Sequence, residues 1–144
     1  MALCPDDAAM TDLETDIQTL LAERGDLWLA LAPLWLDREP HEADYARMVE
    51  EIQRHDFTLR QLEWIYRLEL APVLARRQMS VAGEWRSFDE NRLLADLVRH
   101  NRRLKGWRRH FWVLFSGPTT MMTRYRWSEL MTRLMVARGE RPPA

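Results

Sequence analysis

Apolar residues recur three and four positions apart along most of the chain, the spacing that places them on one side of a helix. No stretch of useful length alternates apolar and polar residues as a half-buried strand would. Trp28, Leu31, Ala32 and Trp35 form one such apolar row. In the segment from Ser87 to Leu104, Leu93, Leu94, Leu97 and Leu104 lie opposite Arg92, Asp96, Arg99 and Arg103. A third row, Met121, Met122, Trp127, Leu130, Met131, Leu134 and Met135, belongs to the last helix and is assigned to the core, with a dimer surface or a partner groove as the alternative.

Start and stop signals divide this pattern. Thr11 with Glu14, Thr58 with Gln61 and Ser87 with Glu90 have the capping-box spacing, in which hydroxyl and carboxyl or amide satisfy backbone N–H groups reciprocally. Gly25 reads as a stop with Asp26 restarting a second helix, bent by Pro33 and ending near Leu36. Further helices are expected from Pro40 to Arg54, Thr58 to Arg77, Ser87 to Leu104, Trp107 to Phe115, and Thr120 to Ala137. Gly106 separates two of them, Gly117-Pro118 forces a turn, and Gly139 stops the last. The expectation is an all-α, compact single-domain bundle of about six or seven helices over residues 1–138, with a disordered tail from 139 to 144.

Charge sharpens this picture. The formal net charge is −1, yet residues 1–63 carry 15 acids and 5 bases, whereas residues 64–144 carry 7 acids and 16 bases. Either the halves fold together and neutralise each other, or two faces of opposite sign steer a charged partner. Glu39, Glu42, Asp44, Glu50 and Glu51 are the candidate acidic docking surface. Arg99, Arg102, Arg103, Lys105, Arg108 and Arg109, interleaved with His100, Trp107 and His110, are the candidate basic stripe. Such a stripe could track a phosphate backbone, but it lies on an ordinary amphipathic helix, and a pI near 6.4 disfavours a dedicated nucleic-acid binder.

No constellation for catalysis stands out. None of His41, His55, His100 and His110 has a second His or Cys three or four residues on, and there is no Gly-rich phosphate loop or nucleophile elbow, so no metal or cofactor is expected. The single cysteine, Cys4, fits a reducing, cytoplasmic setting. No signal peptide or membrane span is legible. Glu69 is the exception to a clean amphipathic pattern, because it projects between Leu62 and Ile65, away from Arg60, Glu63 and Arg67. A carboxylate there needs partners. The candidates are the backbone N–H groups of Ala82 to Trp85, or Arg86, which makes Glu69, Gly83, Glu84, Trp85, Ser87 and Glu90 a structural clasp with Trp85 and Phe88 folded inward. A catalytic or ligand-binding acid is the alternative role for Glu69.

Three segments, "WLALAPLWLD" from Trp28, "LEWIYRLELAPVL" from Leu62 and "VAGEWRSFDE" from Val81, resemble an uncharacterised bacterial family of small helical proteins, a domain of unknown function. Its members read W-x-A-L…L-F-L-D, then E-V-A-P, then A-G-E-W-x-x-F-D. The resemblance covers about residues 28–98. It departs at Trp35 (an aromatic Phe in the family), Arg38 (Thr) and Leu93 (Trp), and leaves out a C-terminal helical extension at 106–138. It implies a fold unit and a bacterial source, with no established activity. By class, the expectation is a non-catalytic protein-binding module of the immunity type that neutralises a cognate toxin, using its acidic surface. A nucleic-acid-binding or regulatory protein using the basic stripe, or a secretion adaptor or chaperone, are the alternatives, and a homodimer stays open.

Overall fold

Glycine interrupts a helix when its backbone leaves the helical region, and Gly25 does not: its φ of −54° and ψ of −50° are helical. In the computed structural model, which describes residues 14–36, 38–78 and 90–139, the two helices expected around Gly25 are one. We call it α1 (14–35). It passes through a wide π turn at Leu21–Gly25, an α-helical stretch at Asp26–Leu31 and a tight 3-10 turn at Ala32–Trp35, where Pro33 ends it.

α2 (Glu42–Gln53) starts two residues after Pro40, and the Asp44 carboxylate accepts the His41 backbone N–H at 2.8 Å. α3 (59–78) starts at the Thr58–Gln61 capping box, with bonds of 3.1 and 2.9 Å. It consists of Leu59–Trp64, a second π turn at Ile65–Leu70, and Ala71–Gln78. Pro72 accounts for the irregularity. It has no N–H to offer the Leu68 carbonyl four residues back, and its ring crowds that carbonyl. His100 supplies the missing donor, with Nε2 at 2.8 Å from the Leu68 oxygen. Asn101 Nδ2 donates to the Leu97 carbonyl at 2.8 Å and reaches Glu69 O at 3.4 Å.

α4 (Glu90–Arg102), α5 (Trp107–Leu114), α6 (Ser116–Thr120) and α7 (Arg124–Ala137) complete seven helices, with no strand among the described residues. Gly106 and Gly139 take φ of +57° and +75°, backbone that favours glycine; as expected, Gly106, the residue before α5, separates α4 from α5, and Gly139 follows the end of α7. Gly117-Pro118 does not force a turn. Both residues lie in the first turn of α6, where a missing N–H costs nothing. The last helix starts four residues later than expected, because Met121–Thr123 form a turn. Thr11, Ser87 and residues 140–144 lie outside the described residues.

α3 packs on α1, α4, α5 and α6, while α2 lies between α1 and α7. Trp28, Leu31, Trp35, Ile52, Leu62, Tyr66, Leu97 and Leu134 are fully or almost fully buried where these helices meet. Tyr66 is the hub. Trp127 stacks on it with ring centroids 4.3 Å apart and planes at 2°, and Trp35 leans on it at 5.4 Å. Its hydroxyl shares a 2.6 Å hydrogen bond with buried Thr123, and burial pushes its pKa up to about 12. Burying each such ring is worth about 2–3 kcal/mol.

The acidic and basic halves do meet. Arg126 donates to the carbonyls of Leu34 (2.9 Å) and Leu36 (2.7 Å), closing the end of α1, and Arg138 donates to the Phe57 carbonyl at 2.8 Å. Arg133 grips Glu42 with two nitrogens, one at 2.7 Å, while also binding Glu129 and lying over the Tyr45 ring. No helix among the described residues is long and apolar enough to cross a membrane.

Candidate functional site

The Glu69 carboxylate finds partners on α1. Its Oε1 accepts the indole N–H of Trp28 at 3.0 Å and lies 3.3 Å from Arg24 Nε. Arg24 comes from the π turn of α1 and Glu69 from that of α3, so the two irregular turns are joined by an ion pair. Burial raises the Glu69 pKa, opposed by the charge of Arg24 and the two hydrogen bonds. The side chain is 20% exposed and looks into an open cleft of about 230 Å³ lined by Arg24, Phe57, Gln61, Trp64 and Arg109. Ala82, Gly83, Glu84, Trp85, Arg86, Ser87 and Phe88, expected to close over Glu69, lie outside the described residues. Glu90 is the exposed first residue of α4.

The acidic candidates sit on or just before α2. Glu42 is held by Arg133, which lowers its pKa. Asp44 is lowered too, by the His41 backbone N–H first and by Arg38 at 3.0 Å. Arg54 binds Glu50 at 3.2 Å and Glu51 at 2.9 Å, and His55 lies 3.3 Å from Glu51. Glu39 is exposed ahead of the helix. Four of the five carboxylates thus sit opposite arginines of the same chain, which reduces the field they can project.

The basic candidates do not stay together. The end of α4 and the start of α5 distribute them to three places. Arg99, Arg103 and Arg108 converge with Arg76 of α3 around a cleft of about 250 Å³, together with His100, Trp112, Val73, Leu104 and Asp96. Arg102 and Lys105 turn towards Asp16 and Glu23 of α1. Arg109 goes to the Glu69 cleft. Among the described residues no carboxylate stands within ion-pair distance of Arg76, Arg103 or Arg108, and Asp96 reaches Arg99 only at 3.9 Å. His100 is held at the cleft wall. A carbonyl can only accept, so its Nε2 carries the proton given to Leu68, and the neutral ring has Nδ1 as an acceptor. Burial lowers its pKa, and the nearby Arg76 charge lowers it further. Trp112 meets the His100 ring edge-on at 5.7 Å.

A third feature lies in the C-terminal segment, where the methionine row has a dimer surface or a partner groove as its alternative to core. Of the eight exposed large hydrophobic residues described, seven fall between residues 107 and 125. α5 has no buried residue at all, and Trp107, Phe111 and Leu114 lie on one side of it by helical spacing, with Phe111 stacked on Phe115 at 4.5 Å. Trp107, Leu114, Met121, Met122 and Tyr125 are between 71% and 80% exposed. Met121 and Met122 therefore depart from the core assignment of the last methionine row, whereas Trp127, Leu130 and Leu134 keep it. The extra turn at Met121–Thr123 displaces the two methionines from the buried side of α7.

A family model described as a domain of unknown function (DUF7079) matches residues 22–133. The match continues through α5, α6 and most of α7, beyond the 28–98 span of the three recognised segments. No curated protein and no solved structure matches the chain.

Proposed function

Because the chain belongs to the DUF7079 family, a domain of unknown function, its role has to be argued from its own surface, and we propose a non-catalytic protein-binding module that docks through the apolar face of α5 to α7. The observation that carries this reading is the concentration of exposed Trp107, Phe111, Leu114, Phe115, Met121, Met122 and Tyr125. Isolated exposed hydrophobics are ordinary, but a group of this size rich in aromatics and methionine is what interface centres are made of. Arg108, beside Trp107 at 5.4 Å, and Arg124 give it a basic border. The fitting partner is a protein with an apolar centre and an acidic rim.

Within this class we propose a bacterial immunity-type protein, in which the docked partner is a toxin. The pairing of Glu42, Asp44, Glu50 and Glu51 with arginines of the same chain favours the apolar face over the acidic one as the docking surface. The test uses Leu114→Glu, Met121→Glu and Met122→Glu combined, all at exposed positions, with circular dichroism to confirm an unchanged fold. A partner held by the wild type in its source cells should be lost by about tenfold or more in the triple variant. Equal retention rejects this face, and self-association abolished by the variant reassigns it to a second copy. If the partner alone arrests growth, relief by the wild type and not by the variant supports immunity; a harmless partner rejects it.

A further inference from the structure

Four arginines line the cleft between α3, α4 and α5: Arg76, Arg99 and Arg108 from the helices and Arg103 from the turn after α4. Like charges gathered around one concavity repel each other, and a chain that needed them only for solubility would spread them out. One carboxylate, Asp96, accompanies them, so the cleft has an excess of three positive charges. Elsewhere Arg24, Arg38, Arg54, Arg67 and Arg133 each have a carboxylate at hand, and the arginines without one among the described residues, such as Arg47 and Arg60, are not gathered four to a cleft. Arg76, Arg103 and Arg108 are left without a carboxylate among the described residues.

From this arrangement we propose that the cleft is a binding site for a small polyanion carrying two or more phosphate groups. Guanidinium groups offer planar pairs of N–H donors that match phosphate oxygens two at a time. Arg99 lies in the last turn of α4 and Arg103 in the turn that follows it, so both can address one phosphate, while Arg76 and Arg108 approach from the neighbouring helices. The volume of about 250 Å³ suits a diphosphate group. Val73, Leu104 and Trp112 give the walls an apolar surface against which a base or other flat group attached to the phosphates could rest. His100 keeps the wall in place through Leu68 and adds no charge of its own when neutral.

A nucleic-acid strand is the weaker occupant. A strand needs a continuous track, and Arg102, Lys105 and Arg109 line other clefts than Arg76, Arg103 and Arg108 do. The site adjoins the docking face at Arg108, which lines the cleft and lies over the Trp107 ring.

Isothermal titration at low salt with pyrophosphate, ADP, AMP and inorganic phosphate tests the proposal. Pyrophosphate is expected to bind with a dissociation constant below about 1 mM and inorganic phosphate at least about tenfold more weakly. ADP binding more tightly than pyrophosphate assigns the ligand to nucleotides; equal binding assigns it to the diphosphate alone. Arg103→Ala and Arg108→Ala, at exposed positions, should each weaken pyrophosphate by about tenfold. Arg102→Ala and Lys105→Ala should each change it by less than about twofold. No heat with pyrophosphate at millimolar concentration overturns the proposal. So does equal sensitivity to Arg102 and Arg103, which would mean diffuse surface charge. An oligonucleotide that binds more tightly, with Arg102, Lys105 and Arg109 all contributing, overturns it in favour of nucleic acid.

Discussion

Removing Glu69 orphans an indole. Trp28 is fully buried, and its N–H is satisfied by Glu69 Oε1 at 3.0 Å. Glu69→Leu leaves that donor without an acceptor, which costs about 1–3 kcal/mol. Arg24 also loses its carboxylate but is 25% exposed and can turn to water. The gain is removal of a carboxylate that burial disfavours, so the net single-variant loss should be about 1–2 kcal/mol. Trp28→Phe loses the same bond and leaves a small cavity. Because either change alone breaks the bond, the double variant should be more stable than the sum of the singles predicts, by about 1.5–3 kcal/mol, the range for hydrogen bonds to charged groups. Urea midpoints at constant slope measure this cycle. Additivity to within about 0.5 kcal/mol would refute the coupling. The protonation of Glu69 gives a second check. Its folded pKa is raised, so the folded chain holds the proton more tightly than the unfolded chain does. The stabilisation it confers is present below the ordinary Glu value and is lost as pH rises through the folded one. Glu69→Gln, which keeps an acceptor for Trp28, should abolish that decline.

Two further outcomes test neighbouring parts of the structure. Trp35 is as buried as Trp28, but its Nε1 has no hydrogen-bond partner among the described residues. Trp35→Phe removes an unsatisfied donor (about 1–3 kcal/mol) and opens a cavity worth about 1 kcal/mol, so its urea midpoint should match or exceed wild type. A loss above about 2 kcal/mol contradicts this account. His100 has a lowered pKa, so the unfolded chain binds its proton more tightly. Stability should be complete above the ordinary His value of about 6.5 and fall as pH drops from there towards the folded value. NMR titration of His100 at or above that ordinary value would contradict it, as would an unchanged slope in His100→Gln.

The helical class and most boundaries were legible because caps, prolines and apolar spacing act locally. Thr58 and Gln61 bond each other whatever the rest of the chain does, and Gly106 and Gly139 occupy backbone regions that favour glycine. Gly25 misled because a stop signal is only a permission, and packing keeps the helix going through it. The site was half legible. The spacing singled out Glu69 and the arginines between Arg99 and Arg109, but not their neighbours. The indole that binds Glu69 is 41 residues away, and the basic cleft is completed by Arg76 from another helix. One sequence signal points towards His100: Pro72 leaves the Leu68 carbonyl without its helical donor, so a polar side chain from elsewhere has to reach it. The exposed methionines depend on a three-residue turn that no periodicity reveals.

The π turn at Ile65–Leu70 also makes α3 a rod with an angular offset built into it. One residue more than an α-helix needs is accommodated in a single wide turn, so everything beyond it is rotated by about 100° relative to an uninterrupted helix. Deleting one residue here would leave a smoother helix and a broken protein. Leu62 would still face the core, but Leu74 would swing away from it and Arg76 away from the basic cleft. For this stretch the number of residues is as much a part of the message as their identity.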